Sequence, residues 1–515
     1  MEKYNSTDNN KELIKSCVCD KVSTKETSFD FTLPDYQPEI KRLLRIGAEV
    51  ISPQCSFGMS DCEIYGTVDY YVIYLGSDNQ MYCAPLSAEY RINVPIEDDM
   101  GLSYDGDVFV GCEFVNGRVT APRKISIRSR LCARASIFNN IALENEFSDG
   151  VEQSCMQKLE GELSAAQINR LAPNKTEVTD HIILDKRDGE IRVICAEGKV
   201  LVAETQNIAG AINCKGDVYV KLIACSDEGD VPYVINRKIP FAMSFTSDTP
   251  LDGGFVSAKG CVSELTVTVD EGRILIDAGV TVLASVITNK TVTYTKDMYS
   301  TLCATKCDYF SPSAMTSKGG FNTNLTLGET RTLEELKLAS GITLVDTSAN
   351  AMIDSAEVVD SKAKISGKIK YTLLLYRDGE YIPTEMEFPF VYTTDVKAGA
   401  NMLVADCSVI TQRGRIDGER LGLDCEIYIS ASLYGTEKIN ALTALHFGEL
   451  VKRNNGNITV CFPSSSDSLW SVGKRYSIST NKVLDDNKIV EAKDKKVSLD
   501  SKESLGGAHH LVISI

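Results

Sequence analysis

Tryptophan occurs once and histidine four times in this chain of 515 residues, so imidazole is scarce as a general base or metal ligand. Asp180-His181 is the one arrangement that suggests half of a catalytic dyad. Ile182-Ile183-Leu184 place it at the start of a strand, where a hydrogen-bonded edge histidine is expected instead. His446 stands alone, and His509-His510 adjoin the last strand candidate as surface residues. Motifs for nucleophilic or nucleotide chemistry are missing too. There is no Gly-x-Ser-x-Gly elbow and no dinucleotide fingerprint opening a βαβ unit. Ala196-Glu197-Gly198-Lys199-Val200 lacks the upstream glycine and the Ser/Thr of a P-loop. Positive charge is in deficit: 54 Lys and Arg against 71 Asp and Glu give −17, which repels phosphate backbones and anionic lipid overall. The basic strip Arg118 to Arg134 alternates Arg128 and Arg130 with Ile127 and Leu131, the pattern of a solvated strand face and not of a nucleic-acid site. No run approaches the ~20 apolar residues needed to span a bilayer. The polar start, MEKYNSTDNNKELIK, has no apolar core of an export signal, so a cytoplasmic protein is expected.

Cysteine, by contrast, is plentiful at 17. The count is odd, and Cys62, Cys112, Cys132, Cys214, Cys261 and Cys425 sit inside alternating strand patterns. They read as small buried hydrophobes in a reducing compartment. Cys17-x-Cys19 and Cys303-x-x-x-Cys307 have no second pair or histidine at zinc-site spacing. No catalytic residue, metal or cofactor is therefore nominated, and the chain is expected not to be an enzyme.

What is present is a repeat. Gly66, Gly216 and Gly367, spaced 150 and 151 residues apart, each lead into an alternating apolar strand. Each strand runs into a polar turn: Gly76-Ser77-Asp78-Asn79, Ser226-Asp227-Glu228-Gly229 and Arg377-Asp378-Gly379-Glu380. A second strand follows with a proline in every copy (Pro95, Pro240, Pro389), which points to an edge strand or a strand end. A third shared landmark is Gly117, Gly272 and Gly418, each ahead of another alternating strand. Period-two patterning makes the chain mainly β: three repeated antiparallel β modules, each a sandwich or small barrel, at 27–140, 176–305 and 327–448. Between them, 141–175 is expected to be a helical connector, because Met156, Leu159, Leu163 and Ile168 fall near helical spacing. Residues 306–326, rich in Ser, Gly and Asn, read as a linker.

Residues 456–515 differ. Ile458 to Phe462 is a strand candidate. Asp467 stands where an N-cap belongs, and Leu469, Val472, Gly473 and Tyr476 share one face of a short helix. A second helix is expected from Ser479 or Thr480 to Asn487, then a final strand from His510 to Ile515. The result is a compact β-α-α-β unit. Trp470 is expected to cap its small core.

Two resemblances follow from these residues. Asp467-Ser468-Leu469-Trp470, the Lys474-Arg475-Tyr476 helix end and Asn487 resemble a LysM domain. Ser466 stands where that family has glycine, and the loop after Asn487 is long and rich in lysine. The repeats resemble SPOCS modules: Leu33-Pro34-Asp35-Tyr36-Gln37-Pro38-Glu39-Ile40 with Leu43-Leu44 matches their leading signature, and the glycine, strand, hairpin and proline match their body. Several SPOCS modules with a terminal LysM domain is the layout of a clostridial family that interacts with stage IV sporulation protein A. The resemblance implies a non-enzymatic adaptor in the mother-cell cytosol at the forespore surface, helping this coat ATPase encase the forespore, with other spore coat proteins as further partners. The modules would be rigid spacers, and Phe462, Asp467, Leu469, Trp470, Val472, Lys474 and Tyr476 would form the docking region, Leu469 and Val472 by holding the helix and Lys474 by touching the partner. Peptidoglycan binding through the LysM-like groove is the alternative, and a hydrolase hidden in the β modules a third reading.

Overall fold

The computed structural model describes residues 12–97, 103–145, 147, 153–184, 191–208, 210–226, 231–246, 253–270, 272–452, 458–487, 498–505 and 508–514. The chain is mainly β, and among the described residues it has two α-helices. Six strands come first: β1 (Glu12–Thr32), β2 (Ile40–Phe57), β3 (Asp61–Gly76), β4 (Met81–Pro95), β5 (Tyr104–Ala121) and β6 (Lys124–Leu143). They pair as two antiparallel sheets, β2-β3-β4 and β1-β6-β5. Next come β7 (Met156–Arg170), β8 (Asn174–Ile183), β9 (Arg192–Ile208), β10 (Ala211–Cys225), β11 (Tyr233–Thr246), β12 (Phe255–Asp270) and β13 (Arg273–Ser300). Here β9-β10-β11 form one sheet, and β12-β13-β7 with β8 form the other. After β14 (Cys303–Phe310) come β15 (Ser313–Thr332), β16 (Thr343–Val359), β17 (Lys362–Arg377), β18 (Glu380–Asp395), β19 (Met402–Asp417), β20 (Arg420–Lys438) and β21 (Ala441–Leu450). The sheets are β16-β17-β18 and β15-β20-β19, with β14 paired to β21. The C-terminal residues give β22 (Ile458–Cys461), α1 (Leu469–Tyr476), α2 (Thr480–Asn487) and β23 (Leu511–Ser514), with β22 and β23 antiparallel.

The alternation in sequence builds these sheets. In β17, Ala363, Ile365, Ile369, Tyr371 and Leu373 are buried, while Lys362 and Lys364 on either side of Ala363 are exposed. The inward residues meet Leu421, Ile427 and Ile429 from β20. Val218, Val220 and Leu222 likewise meet Ile274, Ile276 and Val280, and Ile64, Val68 and Tyr70 meet Ile125, Ile127 and Leu131. Each such side chain contributes about 1.5–3 kcal/mol when fully buried. Gly66, Gly216 and Gly367 occupy matching places, opposite Tyr90, Phe241 and Phe390 on the neighbouring strand. The aromatic ring lies where a Cβ would go. Pro95, Pro240 and Pro389 lie in β4, β11 and β18, each an edge of its sheet, where a missing N–H costs nothing. Asp378 and Gly379, at φ 50° and 87°, make the two-residue β17–β18 turn. Asp227, Glu228 and Gly229 lie outside the described residues.

Four expectations are corrected. The helical connector of 141–175 is a strand: Met156–Arg170 pairs along β13, with Leu163 opposite Val292 and Ile168 opposite Ile287. Leu159, Gly161, Leu163 and Ala165 are buried between exposed Lys158, Glu160, Glu162 and Ser164. A spacing of four satisfies both periodicities, and the partner strand decides between them. The 306–326 linker is taken up almost wholly by β14 and β15: Gly319, at φ 92°, sits at a register shift in the β15–β20 pairing, and Gly320 lies under the Phe255 ring. Gly117 is not the counterpart of Gly272 and Gly418. It lies inside β5 opposite Ile127, whereas Gly272 and Gly418 turn at φ 75° and 58° between paired strands. The first strand begins at Glu12, ahead of residue 27.

The strand groups are not spacers in a row; they pack side by side. Leu44 and Ile73, Cys195 and Ile223, and Val345 and Leu374 share one apolar cluster. Beside it lies a buried ionic cluster: Arg45 pairs with both Glu197 and Asp346, and Lys221 reaches Glu197 and Asp346 at 3.0 Å each. One residue comes from the first group, two from the second and one from the third. Burial draws the Lys221 ammonium down to about 8 against the pull of Asp346, while Arg45 and Lys221 hold the Asp346 carboxyl below its usual value against burial.

Candidate protein interface

The terminal unit forms its own core. Leu469 and Val472 of α1, Val483 and Leu484 of α2, and Leu511 and Ile513 of β23 pack together, with Tyr476 partly buried against them. Asn487 ties α2 to β23: its side-chain oxygen accepts from the Val512 amide at 2.6 Å, and its Nδ2 donates to the Val512 carbonyl at 2.8 Å. The N-cap of α1 is Ser468, not Asp467. Ser468 Oγ accepts the Ser471 amide at 3.2 Å, and Ser471 Oγ accepts the Ser468 amide at 2.9 Å. Asp467 is drawn away to the Ser464 amide at 2.8 Å and to the Arg475 guanidinium, which lower its carboxyl pKa.

Trp470 points away from this core into the β body. It is 5% exposed and packs on Leu159 of β7 and Tyr299 of β13. The Tyr299 and Trp470 rings meet edge-on, with centroids 4.8 Å apart. The indole N–H donates to Asp297 Oδ2 at 2.8 Å. One turn along the helix, Lys474 Nζ lies 2.6 and 2.8 Å from the two oxygens of the same carboxylate. Tyr309 Oη donates to Asp297 Oδ1 at 2.7 Å. A register shift between Thr295 and Asp297 in the β13–β7 pairing re-aims the strand at this point. Burial opposes the charged form of Asp297, but the Lys474, Trp470 and Tyr309 donors prevail and hold its carboxyl below the usual range. Gly473 lets the helix come close: a Cβ there would stand 2.5 Å from Tyr299 Oη, which donates to the Ile478 carbonyl at 2.7 Å.

The expected docking residues therefore divide. Leu469 and Val472 hold the helix, as expected. Asp467 braces the loop before α1. Trp470 does not cap the core of its own unit, and neither it nor Lys474 faces outward: both are engaged by Asp297 within the chain. Tyr476 is partly buried, and Phe462 is exposed at 75%. Beside it are two residues that sequence reasoning missed, Ile458 at 70% and Val460 at 50% exposure. Thr459 and Cys461, between them, are turned inward. The signal was the period-two alternation of this short strand, which puts Ile458, Val460 and Phe462 on one face. Val460 is opposite Val512, and the Phe462 ring lies 6.5 Å from that of His510.

Other sequence candidates are accounted for elsewhere. His181 lies near the end of β8, not its start; Asp180 pairs with Arg237 at 3.5 Å, and the Arg237 guanidinium also donates to the His181 carbonyl. Arg128 and Arg130 both pair with Glu26 across the β1–β6 ladder. A cavity of about 780 Å³ lies between the strand groups, lined in part by Glu49, Lys199, Arg134 and Asp406. Burial raises the Glu49 carboxyl pKa and lowers that of the Lys199 ammonium. Among the described residues, no three His, Cys, Asp or Glu side chains are grouped to hold a metal, and no helix is long and apolar enough to cross a membrane. Comparison with protein-family models, curated proteins and solved structures finds no match.

Proposed function

We propose that this chain is a non-enzymatic adaptor of spore coat assembly. In this reading, three copies of one two-sheet SPOCS-like module form a body, and a LysM-like unit docked on it meets a coat ATPase resembling stage IV sporulation protein A. The observation that carries the reading is the outward row Ile458, Val460 and Phe462 on a unit whose other apolar face is already satisfied. Apolar side chains left open in a row, on a unit held in place by Asp297, suit the apolar centre of a protein–protein contact. The matching places of Gly66, Gly216 and Gly367 support common descent of the three strand groups.

In this reading the docking region is the outer face of β22 together with Phe462 just after it, and not the Trp470 face of α1. Pull-down of the coat ATPase from sporulating cells tests it. Wild type should recover the ATPase, and the double substitution Val460→Asp with Phe462→Asp should not, while its circular dichroism stays unchanged. Equal recovery by both would remove the site. Firm co-sedimentation of the wild type with purified peptidoglycan at moderate salt would favour glycan binding instead.

A further inference from the structure

We infer that Cys83 and Cys195 form a peroxide-oxidisable dithiol that, once bonded, staples the first strand group to the second. Cys83 lies in β4 and Cys195 at the start of β9, and their sulfurs are 2.9 Å apart with both thiols free. A disulfide needs about 2.05 Å, so closure asks for roughly 0.9 Å of sulfur movement.

The surroundings hold the two strands together independently of the bond. Arg192 donates to the Met81 carbonyl at 3.1 Å, and its guanidinium lies 5.2 Å from the centre of the Tyr82 ring. Cys195 also belongs to the apolar cluster that all three strand groups share. The hydrogen bond from Cys83 lowers the Cys195 thiol against the upward pull of burial, with Arg45 and Lys221 helping. Cys83 is partly exposed and Cys195 is buried, so peroxide reaches the pair through Cys83's side. One thiolate of the pair takes one oxygen from hydrogen peroxide, giving a sulfenic acid and releasing hydroxide, which takes up a proton as water. The other thiol then displaces the sulfenic oxygen as a second water while the sulfur–sulfur bond forms. Two thiols are oxidised and one peroxide is reduced to two waters. Cys55 and Cys62 lie on the paired strands β2 and β3 of one sheet, so their bond would join nothing new.

The test is peptide mapping of the reduced full chain after brief exposure to hydrogen peroxide, with two proteases and no reductant. The expected result is a Cys83–Cys195 linkage as the main intrachain product, with a raised thermal midpoint that falls back on adding dithiothreitol. Cys83→Ser and Cys195→Ser should each abolish the linkage and the shift. The wild-type map decides the matter even where a variant folds poorly. Other cysteines oxidising while Cys83 and Cys195 stay unlinked in folded protein would overturn the inference.

Discussion

The indole N–H of Trp470 donates to Asp297 Oδ2 at 2.8 Å across 173 residues of sequence, fastening the C-terminal unit to the β body. Lys474 closes on the same carboxylate, so one aspartate at a strand irregularity serves two donors from successive turns of α1.

Because this is the only tryptophan, its fluorescence reports docking directly. Asp297→Ala should shift the emission to the red and increase acrylamide quenching, with strand content unchanged. Losing a charge-assisted contact of this kind costs about 1–3 kcal/mol. Unchanged emission would mean that Tyr299 and Leu159 hold the indole without the carboxylate.

Docking should also respond to acid. Asp297 is held below the ordinary carboxyl value, so the undocked state binds more protons across the window beneath pH ~3.9. Its contribution is complete above that window and is lost as the pH falls through the depressed value. An acid titration of the Trp470 emission should show this transition in wild type and lack it in Asp297→Asn. Superimposable titrations would contradict the assignment.

The ionic cluster of Arg45, Glu197, Lys221 and Asp346 predicts a larger effect. Asp346→Ala leaves Arg45 and Lys221 with Glu197 alone in a buried site. Removing one partner of a buried pair typically costs about 3–5 kcal/mol. Urea unfolding should show that loss, and a change below about 1 kcal/mol would mean that water already reaches the cluster.

The three glycines should differ in a defined order. A Cβ at Gly216 or Gly367 would run into the Leu201 or Met352 carbonyl oxygen as well as a phenylalanine ring. At Gly66 it meets only the Tyr90 ring, 3.0 Å from its hydroxyl oxygen. Gly216→Ala and Gly367→Ala should each lose about 1–3 kcal/mol of stability, and Gly66→Ala less. Thermal denaturation measures the order, and the reverse order would argue against equivalent strand contacts.

Much of the architecture was legible because inward and outward residues alternate so regularly. Gly66, Gly216 and Gly367 with their edge prolines marked the strands, and Val483-Leu484 with Asn487 marked α2. Leu159 and Leu163 are four apart, a spacing shared by helix and strand, and only β13 resolves it. The leading leucines of the second and third groups were also missed. Leu33, Leu184 and Leu333 each donate their backbone N–H to a carbonyl at or beside the facing hairpin turn, those of Arg123, Gly272 and Glu419. The bond belongs to the backbone and leaves no side-chain signature. Trp470 and Lys474 were recognised as important, but their partner Asp297 is remote in sequence, so an internal contact read as an external one.

The most direct test of the adaptor reading is the dissociation constant of the purified coat ATPase, titrated against three forms of the full chain. Wild type and Asp297→Asn should bind within a few-fold of each other, since the outer face of β22 is intact in both. Val460→Asp with Phe462→Asp should bind at least about tenfold more weakly, a loss of about 1.4 kcal/mol or more. Equal affinity for all three, or loss confined to Asp297→Asn, would contradict a partner surface on Ile458, Val460 and Phe462.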